Sequence, residues 1–262
     1  MSEKALLVIS FGTAYAETRK KTIEAVEEEL RAAFPDRKFY RAWTSGRIIS
    51  KVKREEDLQI DAVQEAFQRM VENGVTDVII QPTYVIQGLE YEKMICDVRE
   101  AADSFDSILA GKPLVSSEED LEYLSEMMPK IFSEVDGDDA LVLMGHGSPD
   151  GNNEGYYKMN ALFREKGYPN FRMALVEAEP GIHEVIEEMK DTNPKTVYLA
   201  PFMLVAGNHA LLDMTGDAPD SWLHLLEAAG YQVQCRIQGL GEYKEIRQLF
   251  VQHAKKADTR RI

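Results

Sequence analysis

Apolar positions along this chain come in short unbroken runs, and amphipathic stretches lie between them. Ala5–Ser10 and the five residues Ala140–Met144 are free of charge, as strands buried on both faces of a parallel sheet are. Strands are also predicted at Lys38–Trp43, Val78–Ile80, Phe171–Val176, Thr196–Leu199 and Gln232–Ile237. Helical spacing places Ile23, Val26, Leu30 and Ala33 on one stripe of a helix closed by Pro35. It also predicts helices over Asp57–Glu72, from near Glu90, over roughly Glu118–Ser133, over Trp222–Ala229 and over Glu242–Ala254. Alternating strands and helices imply an α/β fold: two similar, doubly wound parallel-sheet half-domains with a cleft between them. The polar segment Asp136–Asp139 divides the chain into an N-terminal half, 1–135, and a C-terminal half, 136–262.

A repeat supports two halves of like architecture. Ile9-Ser10-Phe11-Gly12-Thr13 aligns with Met144-Gly145-His146-Gly147-Ser148, each after an apolar strand. The stretch Val78–Glu90 aligns with Val197–His209, proline and glycine standing six residues apart in both. Phe11 is then the counterpart of His146, and Glu90 that of His209. Only the second half carries histidines at both strand ends.

Composition narrows the functions. With 262 residues, 45 acidic against 30 basic side chains and a net charge of −15, the chain is globular and lacks the basic face that nucleic acid requires. No run approaches the ~20 apolar residues of a membrane span, and Met1-Ser2-Glu3-Lys4 leads straight into a strand, which predicts a cytoplasmic protein. Cys96 and Cys235 form no Cys-x-x-Cys pair, so a thiolate zinc site is not expected. One basic passage stands out, Thr44–Arg54.

The chemistry gathers at strand ends, where open α/β sheets place their sites. His146 sits between Gly145 and Gly147, whose lack of a Cβ allows a sharp turn and close ligand approach. His209 and Glu177 also follow buried strands of the C-terminal half. Two imidazoles and a carboxylate suit a divalent transition metal with open coordination positions. Glu177 could instead cap the helix beginning near Pro180. His183 is expected in the first turn of that helix, and His224 and His253 at the surface or boundary of theirs. Neutral imidazole also accepts protons near neutrality. Metal capture combined with proton removal is what metallating a tetrapyrrole demands, because two pyrrole N–H protons leave as the metal enters.

Gly145-His146-Gly147, Val176-Glu177, Gly207-Asn208-His209 and above all Gln81-Pro82-Thr83-Tyr84-Val85-Ile86-Gln87-Gly88-Leu89-Glu90-Tyr91-Glu92-Lys93-Met94 resemble the anaerobic cobalt chelatases, the sirohydrochlorin cobaltochelatases. The likeness extends over nearly the whole chain. It implies insertion of Co2+ into sirohydrochlorin on the anaerobic route to cobalamin (vitamin B12). It further implies that His146, Glu177 and His209 bind the metal, with Glu90 facing the same cleft as a catalytic group. The family often reads Val-Glu-Gly-Tyr-Pro where this chain has Val176-Glu177-Ala178-Glu179-Pro180, which makes Glu177 the match and Glu179 its alternative. For a substrate with eight carboxylates, Arg47 of the basic passage and the hydroxyls of Ser10 and Thr13 are candidate donors. Phe11 and Tyr84 are candidates to lie against the ring. No organic cofactor is implied, since the metal is a substrate, with Fe2+ or Ni2+ as further candidates in vitro. A homo-oligomer is compatible with this reading. The rivals are a ferrochelatase acting on sirohydrochlorin or a porphyrin and a non-catalytic tetrapyrrole- or metal-binding carrier. A metal-dependent hydrolase ranks third, for want of a Ser-His-Asp or two-metal pattern.

Overall fold

The structure, a computed structural model, describes residues 3–258. They form two compact units, one made of the residues up to Val115 and those from Gly241 onward, the other of Ser116–Leu240. The first unit runs β1 (Glu3–Ser10), α1 (Ala16–Lys21), α2 (Ile23–Ala33), β2 (Lys38–Trp43), α3 (Gly46–Glu56), β3 (Asp61–Ala62), α4 (Val63–Glu72), β4 (Val75–Pro82), α5 (Leu89–Ala101) and β5 (Ser107–Ala110). Its sheet is wholly parallel, in the order β3-β2-β1-β4-β5. The second runs α6 (Glu118–Ile131), β6 (Ala140–Gly145), α7 (Glu154–Glu165), β7 (Phe171–Leu175), α8 (Ile182–Met189), β8 (Thr196–Pro201), a π-helix (His209–Met214), α9 (Trp222–Ala228) and β9 (Gln232–Cys235). Its sheet is also parallel, in the order β7-β6-β8-β9. The chain then returns to the first unit as α10 (Lys244–Lys255).

The two sheets repeat one plan: β2-β1-β4-β5 has the same connectivity as β7-β6-β8-β9, with β3 added at the edge of the first. Register agrees to the residue. Ile9 pairs with Pro82 and Met144 with Pro201. In each unit the amide after the proline donates to the β1 or β6 carbonyl, Thr83 to Ile9 at 2.9 Å and Phe202 to Met144 at 2.7 Å.

Each sheet is wrapped on both faces, as the unbroken apolar strands require. Ala5, Leu7 and Ile9 pack in one cluster with Val63, Phe67 and Met70 of α4 and Met94 and Val98 of α5. Leu6 and Val8, equally buried, alternate to the opposite face, where α2 and α10 lie. In the second unit Ala140, Val142 and Met144 pack with α8, α9 and the π-helix through Val185, Leu226 and Met214.

Three expectations change. The boundary falls at Val115/Ser116 instead of 135/136, and the last helix belongs to the first unit: Arg247 Nε donates to Glu29 on α2 at 2.7 Å. The basic passage is itself a helix, α3, ended by Asp57 in a left-handed conformation (φ 53°). The helix expected over Asp57–Glu72 therefore starts only at Val63, where the Glu65 carboxylate accepts the Ala62 N–H at 2.8 Å. The helix expected through Ile23–Ala33 is α2, and the short α1 precedes it, with the Thr22 hydroxyl between them donating to the Thr18 carbonyl at 2.6 Å. The elements β5, α7 and the π-helix had no counterpart in the apolar pattern.

Candidate metal centre

Three side chains from three strand ends of the second unit converge. His146 follows β6, Glu177 follows β7, and His209 opens the π-helix beyond β8. Their ligand atoms all lie within 4.8 Å of one another, and they are the one such group of three found among the described residues. The imidazole centroids are 4.8 Å apart with the rings perpendicular (89°). Glu177 and not Glu179 joins the group.

The local sequence explains the convergence. A Cβ at Gly145 would stand 2.7 Å from Leu175 Cδ2 and 2.9 Å from Tyr156 Cε1. Gly147 has φ +78°, and a Cβ there would meet Ala178 at 3.2 Å. Glycine at both positions lets the β6 turn press against β7. The Glu177 amide donates to the His146 carbonyl at 2.9 Å, tying the two ligands through the backbone. Glu184 accepts the Gly181 N–H at 3.0 Å at the start of α8, so Glu177 is spared the capping role. Tyr156, on α7, buries its phenol beneath the turn, and burial pushes its pKa well above the usual tyrosine range. Apolar periodicity gave no signal for Tyr156, because α7 itself was not anticipated.

Each histidine presents one nitrogen. His146 Nδ1 lies 2.8 Å from the Gly147 carbonyl, which can only accept, so Nδ1 carries the proton and Nε2 the lone pair. His209 Nδ1 donates to Asp213 Oδ2 at 2.6 Å, again leaving Nε2 to a metal. A metal bound at ~2.1 Å sets its donors roughly 3–4 Å apart, a spacing that small side-chain rotations reach from here. Two imidazoles and a carboxylate fill three positions and leave the rest open, as a transferable ion needs.

The first unit holds the other candidates. Ser10 is 1% exposed and hydrogen-bonded by the Thr83 hydroxyl at 2.8 Å. Thr13 is 4% exposed, and its oxygen accepts the Tyr15 N–H at 3.2 Å. Both oxygens thus act as acceptors within the turn after β1. Tyr84 donates to Thr44 at 3.1 Å, packs against the core cluster, and has its pKa pushed up by burial. Phe11 is 47% exposed, and Arg47 is exposed on the first turn of α3. Glu90, half-buried, stands in the first turn of α5. His183 stands in the first turn of α8 as expected and is exposed; His253 is buried, 3.2 Å from the Lys112 carbonyl, and not at the surface.

Known proteins resemble this chain. The family model for cobalt chelatase (CbiK) matches residues 4–259. The sirohydrochlorin cobaltochelatase of Salmonella typhimurium is 37% identical over 255 residues, 97% of this chain and 96% of that protein. The sirohydrochlorin cobaltochelatase CbiKC of Nitratidesulfovibrio vulgaris is 27% identical, over 97% of this chain and 90% of its own. Among solved structures, SirB from Bacillus subtilis with Fe3+ superposes with a TM-score of 0.66 at 17% identity, covering 97% of this chain and 95% of its own.

Proposed function

Because the chain belongs to the cobalt chelatase (CbiK) family, we propose that His146, Glu177 and His209 hold the Co2+ that it inserts into sirohydrochlorin. It is a metal chelatase, a sirohydrochlorin cobaltochelatase of anaerobic cobalamin biosynthesis. The observation that carries the ligand assignment is the meeting of two Nε2 lone pairs and one carboxylate within 4.8 Å.

Insertion forms Co–N bonds to the ring as two pyrrole N–H bonds break. As ring nitrogens replace the protein donors, the Nε2 lone pairs and the Glu177 carboxylate become free to take up the two departing protons. Glu90 is a further proton acceptor in this proposal. Arg47 on α3 meets substrate carboxylates, and Phe11, exposed and apolar, lies against the macrocycle. Tyr84 can add only its ring, because its hydroxyl is committed to Thr44. The donor set also holds Fe2+ and Ni2+, so both should be inserted in vitro at rates set by ligand exchange. Among the described residues no helix is long and apolar enough to cross a membrane, and the cytoplasm is the compartment proposed.

His146→Ala and His209→Ala should each abolish cobalt insertion, followed as the absorbance change of sirohydrochlorin, while circular dichroism stays parental. Parental insertion rates in either variant would refute the ligand assignment.

A further inference from the structure

We propose that Asp213 is a positioning residue that holds His209 as an Nε2 donor and makes it the tighter of the two imidazole ligands. The inference rests on the assignment of His146, Glu177 and His209 as the Co2+ ligands.

The two histidines are alike in chemistry and unlike in support. His146 Nδ1 donates to a neutral carbonyl, that of Gly147, at 2.8 Å. His209 Nδ1 donates to a carboxylate, that of Asp213, at the shorter distance of 2.6 Å. A carboxylate behind an imidazole fixes the ring plane, excludes the Nδ1-ligating tautomer and pushes electron density toward the free nitrogen. A backbone carbonyl does this more weakly. Asp213 stands outside the group of three whose ligand atoms converge. It is also half-exposed on the π-helix, so the fold does not depend on it. The geometry thus gives the centre a direction: the His146–Co2+ bond opens first, to admit a ring nitrogen, while His209 keeps hold of the ion. Among the described residues His146 has no side-chain partner at Nδ1.

The test compares Asp213→Ala, Asp213→Asn, Asp213→Glu and His209→Ala with the parent. Anoxic Co2+ titrations are read through the visible absorption of the bound ion, alongside metallation kinetics. Asp213→Ala should weaken Co2+ binding by about 10–100-fold, the usual cost of losing such a support. It should alter the Co2+ spectrum and raise the KM for Co2+ while leaving the KM for sirohydrochlorin unchanged. Asp213→Glu should restore part of the affinity, and Asp213→Asn, which carries no charge, less. A merely structural role would not produce that spectral change or its rescue. If Asp213→Ala keeps parental affinity and spectrum while His209→Ala loses Co2+, the role of Asp213 is refuted and the ligand assignment stands. If His209→Ala also binds Co2+ like the parent, the assignment itself falls.

Discussion

Gly147→Ala should damage the metal centre and the fold together, by an amount the structure sets. Residue 147 has φ +78°, where a side chain costs about 1 kcal/mol or a little more. The new Cβ would lie 3.2 Å from both the Cβ and the backbone nitrogen of Ala178 and 3.3 Å from Leu175 Cβ. Main chain yields poorly, so the crowding adds roughly another 1 kcal/mol. A total of about 2–3 kcal/mol lowers the folded-to-unfolded ratio roughly 30–150-fold. Ala178 follows Glu177, whose amide is bonded to His146, so the relief of the clash displaces two ligands at once. Gly151→Ala is the control, since Gly151 has φ +87° but nothing within 4 Å of a Cβ. It should cost only the conformational part, about 1 kcal/mol, and leave Co2+ binding alone. Urea unfolding and Co2+ titration of both variants provide the measurements. Equal denaturant midpoints for the two, with parental Co2+ affinity in Gly147→Ala, would refute the reasoning.

Three other expectations follow from particular contacts. Tyr156→Ala removes the buried ring that lies against Gly145, so unfolding free energy should fall by about 3–5 kcal/mol and Co2+ affinity with it; unchanged stability would show that the ring does not hold the turn. Arg19 donates to Glu56 at 2.6 Å and holds that carboxyl below its usual range, so this pair stabilises the fold at neutral pH and the contribution is lost as pH falls through the lowered folded value. Glu56→Gln should therefore flatten the acid limb of stability against pH below about pH 5, and an identical limb would count against it. Arg47→Ala should raise the KM for sirohydrochlorin with little change in kcat, the difference shrinking at high salt; a parental KM would remove Arg47 from the substrate site.

How far the sequence could be read depended on whether a signal was local. Unbroken apolar runs located β1 and β6 because burial on both faces leaves little other composition possible. The Gly-His-Gly turn and the proline-to-glycine spacing pointed to His146 and His209, whose rings meet in the structure, because each depends on a few adjacent residues. The short β5 strand and α7 gave no such run. The return of α10 to the first unit is a long-range choice, made by contacts such as Arg247 with Glu29, and no window along the chain contains it. The burial of Ser10 and Thr13 was illegible for a related reason: a hydroxyl at a strand end looks open in a sequence, and only the packed turn shows Thr83 and Tyr15 donating to these oxygens.

The duplicated plan explains why one unit carries the proposed metal ligands and the other does not. The Glu177 amide bonds to the His146 carbonyl, and at the equivalent place the Ser45 amide bonds to the Phe11 carbonyl at 3.2 Å. Glu90 and His209 stand equally far beyond the strand-ending prolines Pro82 and Pro201. The triad His146, Glu177 and His209 thus corresponds to Phe11, Ser45 and Glu90. Phe11 has no lone pair, and the Ser45 hydroxyl accepts the Ile48 N–H as the cap of α3, so the second frame cannot grip an ion. Where Glu177 is left unspent because Glu184 caps α8, Ser45 does the capping itself and starts the basic helix that carries Arg47. One backbone plan therefore serves two purposes: three strand ends present either donors for a cation or an apolar ring beside a helix bearing positive charge. The difference lies in three side chains and in which residue satisfies the next helix's N–H groups.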